Sequence, residues 1–514
     1  MSKYISNKRT TINILCSVAS LAVNLLISFW LSPYIIQTIG VEANGFVSLA
    51  NNFITYANLI VTALNAMAAR FITLSYIQQD YQRANLYYNS VFWGNMIIVA
   101  ILLLPAAYLL IKLEHFIDIP ANILMDVKIL FSFVFILFFI RTAAPNYDCG
   151  TYITNRMDLA IIPNMATSML RCVLLITLFT IWTPRIWYIS LVSLCLGLIT
   201  LIVSGYFTHK LTPELRITFS PPLCSWSAIT ELVGAGVWNS ISSAGLMMVN
   251  SLDLLICNLY LGATSMGILS LSKTIPNILV QFVESIRGAF GPELTIIYAD
   301  GDHQQLCQRI RSIMKFTCVI NTVPTSGILI LSDIFYQLWV PSQDTFLLRM
   351  LTSLTMFHYV FMSGTVVLYG VFTITNKVKY NSVAMLTSGL LSTAITLALL
   401  SFTDLGVIAV SGVSCIIGIT RDLLFTIPAT SRFLKLKWYT FYPQVGQSIL
   451  CCAVVIGIGS LVRTILPING WITFFVACGI TGILGLCANM IIVLNKEERS
   501  QLIGMVMRRF LKKS

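Results

Sequence analysis

The sequence predicts an all-α polytopic membrane protein, and three observations predict it. Of 514 residues, 57% are hydrophobic and only 10% charged, against about 45–50% and about 25% in soluble domains. The mean hydropathy is +0.84. The apolar residues lie in continuous runs rather than alternating segments, which excludes a β-barrel. At about 20 residues per span the composition allows on the order of 14 helices. It excludes a soluble globular chain, a disordered chain and a disulfide-stapled secreted domain.

Taken in order, Met1–Arg9 is polar and basic. The apolar run after it reaches Ile36 without a short h-region or a small-residue cleavage site, so 11–37 is expected as a first span and not a cleaved leader. Further spans are expected at 46–75, 88–112, 123–143, 159–183, 186–208, 229–260, 266–290, 313–335, 346–375, 381–403, 405–431, 442–463 and 470–494. The connections, mostly about 5–15 residues, leave no room for a soluble domain. The 13 cysteines fall mainly inside apolar runs, among them Cys172, Cys195, Cys257, Cys415, Cys451 and Cys452. They form no CxxC and no Cys/His cluster, so neither a disulfide framework, a metal site nor a cofactor is expected.

The basic residues orient the chain. With the N-terminus in the cytoplasm, 22 of the 32 Lys and Arg fall inside, five outside and five within spans. A single miscounted span would scramble that asymmetry. The net charge of +12 is thus mostly a topology signal, completed by a basic tail at 496–514 beside the anionic inner leaflet. Nucleic-acid binding is not expected.

An internal repeat joins Gly40–Ser90 to Gly262–Ser312, with ten identities in 51 ungapped positions, Gly40/Gly262, Gly45/Gly267, Ser48/Ser270 and Tyr76/Tyr298 among them. Both windows begin at an outer turn and end in a cytoplasmic segment carrying an Asp. The offset covers an even number of spans, so the copies share one orientation and form a parallel repeat. The expected organisation is a six-helix lobe at 1–215, a second at 216–440, two additional helices at 441–495 and the tail. Two lobes about a cleft are the plan of an alternating-access transporter.

Several segments resemble the Wzx-type polysaccharide flippases. Pro33–Gly45 (PYIIQTIGVEANG) is similar to their first interhelical turn, and Ala68–Thr73 (AARFIT), with Asp80 and Asn85, to the end of their second helix. The second lobe carries Asn250–Gly262 (NSLDLLICNLYLG) and Gly291–Leu294 (GPEL), and the twelfth helix Leu405–Gly412 (LGVIAVSG) and Arg421. The likeness covers roughly residues 10–440. That family belongs with the MurJ-type lipid II flippases and the MATE exporters, which implies a MATE/MurJ-like fold. It implies export of an undecaprenyl-diphosphate-linked oligosaccharide across a bacterial cytoplasmic membrane, with both termini cytoplasmic. The partners implied are the lipid-linked oligosaccharide, membrane lipids, a coupling ion (proton or sodium), and a polysaccharide polymerase and chain-length regulator.

Ionisable side chains within spans are costly and usually face a cavity or a partner. The candidates to meet an anionic cargo are Arg70, Arg171, Lys273, Arg287 and Arg421. Arg171, near mid-membrane in the fifth span, suits phosphate oxygens through its fork; packing against backbone carbonyls is the alternative. Asp253 and Lys273 flank the turn between spans seven and eight, either as a structural ion pair or as one broken and remade during transport. Glu284 and Arg287 share a helix face. His358, in span ten, is either a proton-coupling group or a packing residue. Asp422 adjoins Arg421, and snorkelling to inner headgroups is the alternative for Arg70 and Arg421.

Two competing functions stay open beside the flippase reading. A cation-coupled MATE-type exporter would want a buried acid on the first span, which offers Ser17, Ser20, Asn24 and Ser28 instead. A glycan polymerase or ligase would want a sizeable outer loop. Within the flippase reading, lipid II is an alternative cargo. No GxxxxGK[ST] is present, so ATP hydrolysis by this chain is not expected.

Overall fold

The computed structural model describes residues 31–154, 156–218, 225–299, 303–495 and 498–499, with individual positions between 16 and 29. Much of the expected first span and nearly all of the tail at 496–514 lie outside the described residues. All regular structure among the described residues is helical. The chain divides into two compact units, Met1–Ser270 and Leu271–Ser514.

The first unit runs through α1 (31–39), α2 (Val41–Asn65), α3 (Ala68–Ile77), α4 (Tyr81–Ile111), α5 (Leu113–Phe116), α6 (Leu124–Ala143), α7 (Asp148–Ile153), α8 (Asp158–Ile181), α9 (Tyr188–Leu211), α10 (Trp226–Asn250) and most of α11 (Leu252–Ser272). Its core gathers Leu64, Ile72, Tyr87 and Val91 against Leu232. α2 lies along α10 so closely that a Cβ on Gly236 would stand 2.2 Å from the Ala63 carbonyl oxygen, the small-residue contact that brings helices together in lipid. On α4, Asn85 and Asn89 stand one helical turn apart and pair with the extended backbone of 214–218. Asn85 bonds Glu214 O (2.7 Å) and Arg216 N (2.8 Å), and Asn89 bonds Arg216 O (2.9 Å) and Thr218 N (2.8 Å).

The second unit holds α12 (Thr274–Ala299), α13 (His303–Trp339), α14 (Thr345–Met362), α15 (Leu368–Ile374), α16 (Val378–Phe402), α17 (Val407–Arg421), a π-helical turn (Asp422–Thr426), α18 (Ile427–Phe433), α19 (Tyr442–Ile465) and α20 (Trp471–Val493). The 37 residues of α13 make a helix of about 55 Å, longer than the roughly 30 Å hydrocarbon core. α19 and α20 pack on α13. Asn489 donates to Thr322 (2.8 Å), Ser326 to the Cys452 carbonyl (3.3 Å), and Arg463 grips Asp333 with both nitrogens (2.6 and 3.1 Å), with Arg349 on the same carboxylate (3.4 Å).

The exterior is apolar where the interior is not. Leu104, Ile202, Phe402 and Ile472 are 71–87% exposed, while Asn321, Thr322, Thr325 and Ser326 are fully buried on α13. That inversion marks a lipid-facing surface. Among the described residues, eleven helices are long and apolar enough to cross a membrane. One run, Trp226–Glu284, contains two of the expected spans turned at Gly262. α6 is a further 20-residue helix, with Asp126, Lys128 and Arg141 near its ends.

Several expected spans are interrupted. The run expected at 46–75 breaks at Ala66–Met67 between α2 and α3, and 229–260 breaks at Ser251 between α10 and α11. The run at 346–375 is two helices, because the chain turns through Ser363–Val367, where Gly364 lets α19 approach. Polar residues stand at the breaks, Asn65, Asn250 with Ser251, and Ser363 with Thr365, but the apolar stretches on either side dominate the hydropathy of each run.

The repeat reappears as geometry. Gly40 and Gly262 both turn the chain with positive φ (112° and 84°) and similar ψ (165° and 174°), a backbone state glycine reaches at little cost. After them, residues 222 apart touch one another. Thr264 donates to Glu42 (2.7 Å) and Ser270 to Ser48 (2.7 Å). Between those pairs, a Cβ on Gly45 would lie 2.9 Å from Gly267 Cα. α2 and the end of α11 therefore run parallel and in register about a local two-fold axis. Beyond them, α4, α6, α7, α8 and α9 start 219–222 residues before α13, α14, α15, α16 and α17.

Candidate functional site

Each unit holds a polar cluster among its helices. In the second unit the π-helical turn sets Asp422 beside the end of α17, and π-turns often mark functional positions. The Asp422 carboxylate is 5% exposed and the Arg421 side chain 8%. His358 Nε2 on α14 lies 2.7 Å from Asp422 Oδ2. Oδ1 accepts from the Tyr369 hydroxyl of α15, from Thr426 (3.1 Å) and from Arg421 Nε (3.3 Å). Arg421 also donates to the Tyr369 hydroxyl (2.7 Å) and to Met385 Sδ of α16 (3.0 Å). Four elements thus close on one carboxylate, with three contacts at Oδ1 and one at Oδ2. Gly418 makes the fit, because a Cβ there would press on the His358 ring at 3.2 Å. Such a network is stable only when complete.

The first unit holds an open counterpart, a cavity of ≈ 600 Å³ among α2, α4, α6, α8, α9 and the approach to α7. Asn51, Asn58 and Asn65 line it; spaced by sevens, they stand on one face of α2. Asn65 and Asn95 exchange amide hydrogen bonds (2.8 and 3.2 Å) at one end. Asn51 and Asn164 each donate to the carbonyl four residues back (2.9 and 2.8 Å), and their Oδ1 atoms accept no hydrogen bond among the described residues. The Asn58 amide makes no hydrogen bond among the described residues. Arg141 and Asp148 are exposed in the same lining. Tyr147 and Thr200 line it too, from the elements that correspond to those supplying Tyr369 and Asp422 in the second unit.

Of the residues singled out in the sequence, His358, Arg421 and Asp422 come together in the closed network. Glu284 and Arg287 form an ion pair on α12. Arg171 lies mid-way along α8, and its buried Nε has no hydrogen-bond partner. Arg70 is exposed on α3. Asp253 is buried near the start of α11, and Lys273 is half-buried at the turn into α12.

Sequence reasoning missed the asparagines. Their sevenfold spacing was the available signal, but unlike the Lys and Arg they carry no charge to draw attention. The positions 222 residues beyond Asn51, Asn58 and Asn65 are Lys273, Val280 and Arg287. At two of the three positions one repeat thus carries an amide where the other carries a cation.

No protein-family model matches the chain. It is 26% identical over 515 residues to the uncharacterized membrane protein EpsK of Bacillus subtilis (strain 168), covering 98% of both chains. Among solved structures it is similar to a multidrug resistance MATE-family transporter of the MOP superfamily in an inward-facing conformation (TM-score 0.60, 14% identity, 83% of this chain and 98% of that one). It is also similar to the lipid II flippase MurJ in an inward closed conformation (TM-score 0.59, 13% identity, 93% and 98%). The chain is a multi-pass membrane protein with the fold of the MOP-superfamily transporters.

Proposed function

We propose that this chain is a flippase, not an enzyme, that exports an undecaprenyl-diphosphate-linked oligosaccharide across a bacterial cytoplasmic membrane by alternating access, for surface polysaccharide synthesis. The supporting likenesses are the end-to-end match to a bacterial membrane protein and the fold shared with a lipid II flippase. The observation that carries the reading is Arg171. A guanidinium in the middle of a span with a buried, unpartnered Nε is expensive unless an anion visits it. A diphosphate crossing hydrocarbon unaided meets a barrier of tens of kcal/mol by Born estimates. Arg171 offers it a fork that never deprotonates, and the exposed Arg70 is a second contact. Arg287 and Arg421 already hold carboxylate partners, so they shape the protein first. The moving bodies on this reading are the lobes 1–215 and 216–440, with 441–495 carried along.

His358 and Asp422 form the coupling element of this mechanism. A histidine against a carboxylate inside a span can take and release a proton as its surroundings change.

The test of the function is export at matched membrane abundance. Deletion should remove surface polysaccharide and leave lipid-linked units inside. Arg171→Ala should do the same with the protein folded and inserted, and Arg171→Lys should restore export in part, keeping charge without the fork. Normal export by Arg171→Ala would reduce Arg171 to a packing residue.

A further inference from the structure

We infer that the asparagine-lined cavity of the first unit binds the sugar portion of the cargo, and that this sugar is uncharged and rich in hydroxyls and acetamido groups. The inference rests on the flippase reading and narrows its cargo.

The chemistry of the lining carries it. A carboxamide holds a donor and an acceptor side by side, and a sugar hydroxyl is likewise both. Six asparagines line this cavity from three helices and one connection, and Asn58 presents both of its functions unused. Polar groups kept within spans are costly without a role, and neutral amides cost less to dry than charges. The volume of ≈ 600 Å³ lies within the range of about 300–1,000 Å³ for small-molecule sites. It suits a short run of rings rather than a polymer. Leu137 and Phe138 give the apolar wall against which the C–H face of a ring can rest.

The charges point to a neutral ligand. Arg141 and Asp148 both line the cavity, and neither makes an ion pair among the described residues. Their fields offset, so a uronic acid would gain from one and lose to the other. A lipophilic cation would meet Asp148 but would have to strip the free amide groups, those of Asn58 above all, of water without replacing those bonds.

The test measures binding to the full-length chain in lipid nanodiscs with three probes. These are a short-chain polyprenyl diphosphate bearing an uncharged acetamido-containing disaccharide, the same lipid bearing a hexuronic-acid disaccharide, and the bare polyprenyl diphosphate. The uncharged glycolipid should bind about tenfold more tightly than the bare lipid, equivalent to one or two net hydrogen bonds. Asn58→Leu should erase that advantage without changing affinity for the bare lipid, and Asn58→Gln should keep part of it. An advantage that survives Asn58→Leu, or is absent from the wild type, overturns the inference and leaves the flippase reading standing. Tighter binding of the acidic glycolipid, lost in Arg141→Ala, overturns the assignment of an uncharged sugar. If no polyprenyl diphosphate binds the wild type, the flippase reading itself fails.

Discussion

The two polar clusters have corresponding places in the repeat and opposite character. In the second unit His358, Tyr369, Arg421 and Asp422 bond one another around one buried carboxylate. In the first unit Asn51, Asn58, Asn146 and Asn164 face open space with bonding capacity in hand. The difference teaches that polarity within a span is not one signal. A closed ionic knot fixes helices or changes state as a whole, whereas an open set of neutral groups waits for something to complete it.

The comparison breaks most severely at Asp422. Asp422→Ala strands a buried guanidinium, and removing one partner of such a pair costs about 3–5 kcal/mol. Thermal unfolding in detergent should show a large loss, recovered in good part by Arg421→Met with Asp422→Leu, which withdraws both charges. If the double variant is no better than the single, the ion pair is not what the fold depends on there.

His358→Gln should act more narrowly. A glutamine still reaches Asp422 but carries no titrating proton, so the protein should fold while export loses its dependence on the transmembrane proton gradient. Gradient-dependent export by this variant in vesicles would place coupling elsewhere.

The smallest expected effect lies in the first unit. Asn95→Ala removes one member of the Asn65–Asn95 exchange, at a cost of about 1–3 kcal/mol for an unsatisfied amide. Because the cavity admits water, the lower end of that range is expected. A loss as large as that of Asp422→Ala would mean that the cavity is closed in the way the second cluster is.

Hydropathy alone made the order of the helices legible, because each apolar run had to be buried in lipid whatever its neighbours. The breaks were not legible. Ser251, Ser363 and Asp422 have polar neighbours, Asn250, Thr365 and Arg421, but so does the unbroken α13 at Asn321–Ser326, and only packing tells the two cases apart. The Gly40/Gly262 match was visible as letters, and its meaning appears in two equal turns. Arg421 and Asp422 could be paired from the sequence by adjacency. His358 could not, being 64 residues from Asp422, and a lone histidine in an apolar run looks the same with or without a partner. The asparagines on α2 were legible in principle, since every seventh position was there to be counted.

The contacts between residues 222 apart also bear on how the chain came to be. A position on a two-fold axis meets its own copy, so a symmetric ancestor assembled from two identical chains would have faced like with like. Two glycines or two serines tolerate that, as Gly45 with Gly267 and Ser48 with Ser270 still do. Two glutamates would repel, while the present Glu42 and Thr264 share a hydrogen bond. Joining the halves in one gene frees the two members of such a pair to differ. The same freedom, exercised at Asn51 and Lys273 and at Asn65 and Arg287, lets one copy carry an amide where the other carries a cation, a difference closed to a homodimer.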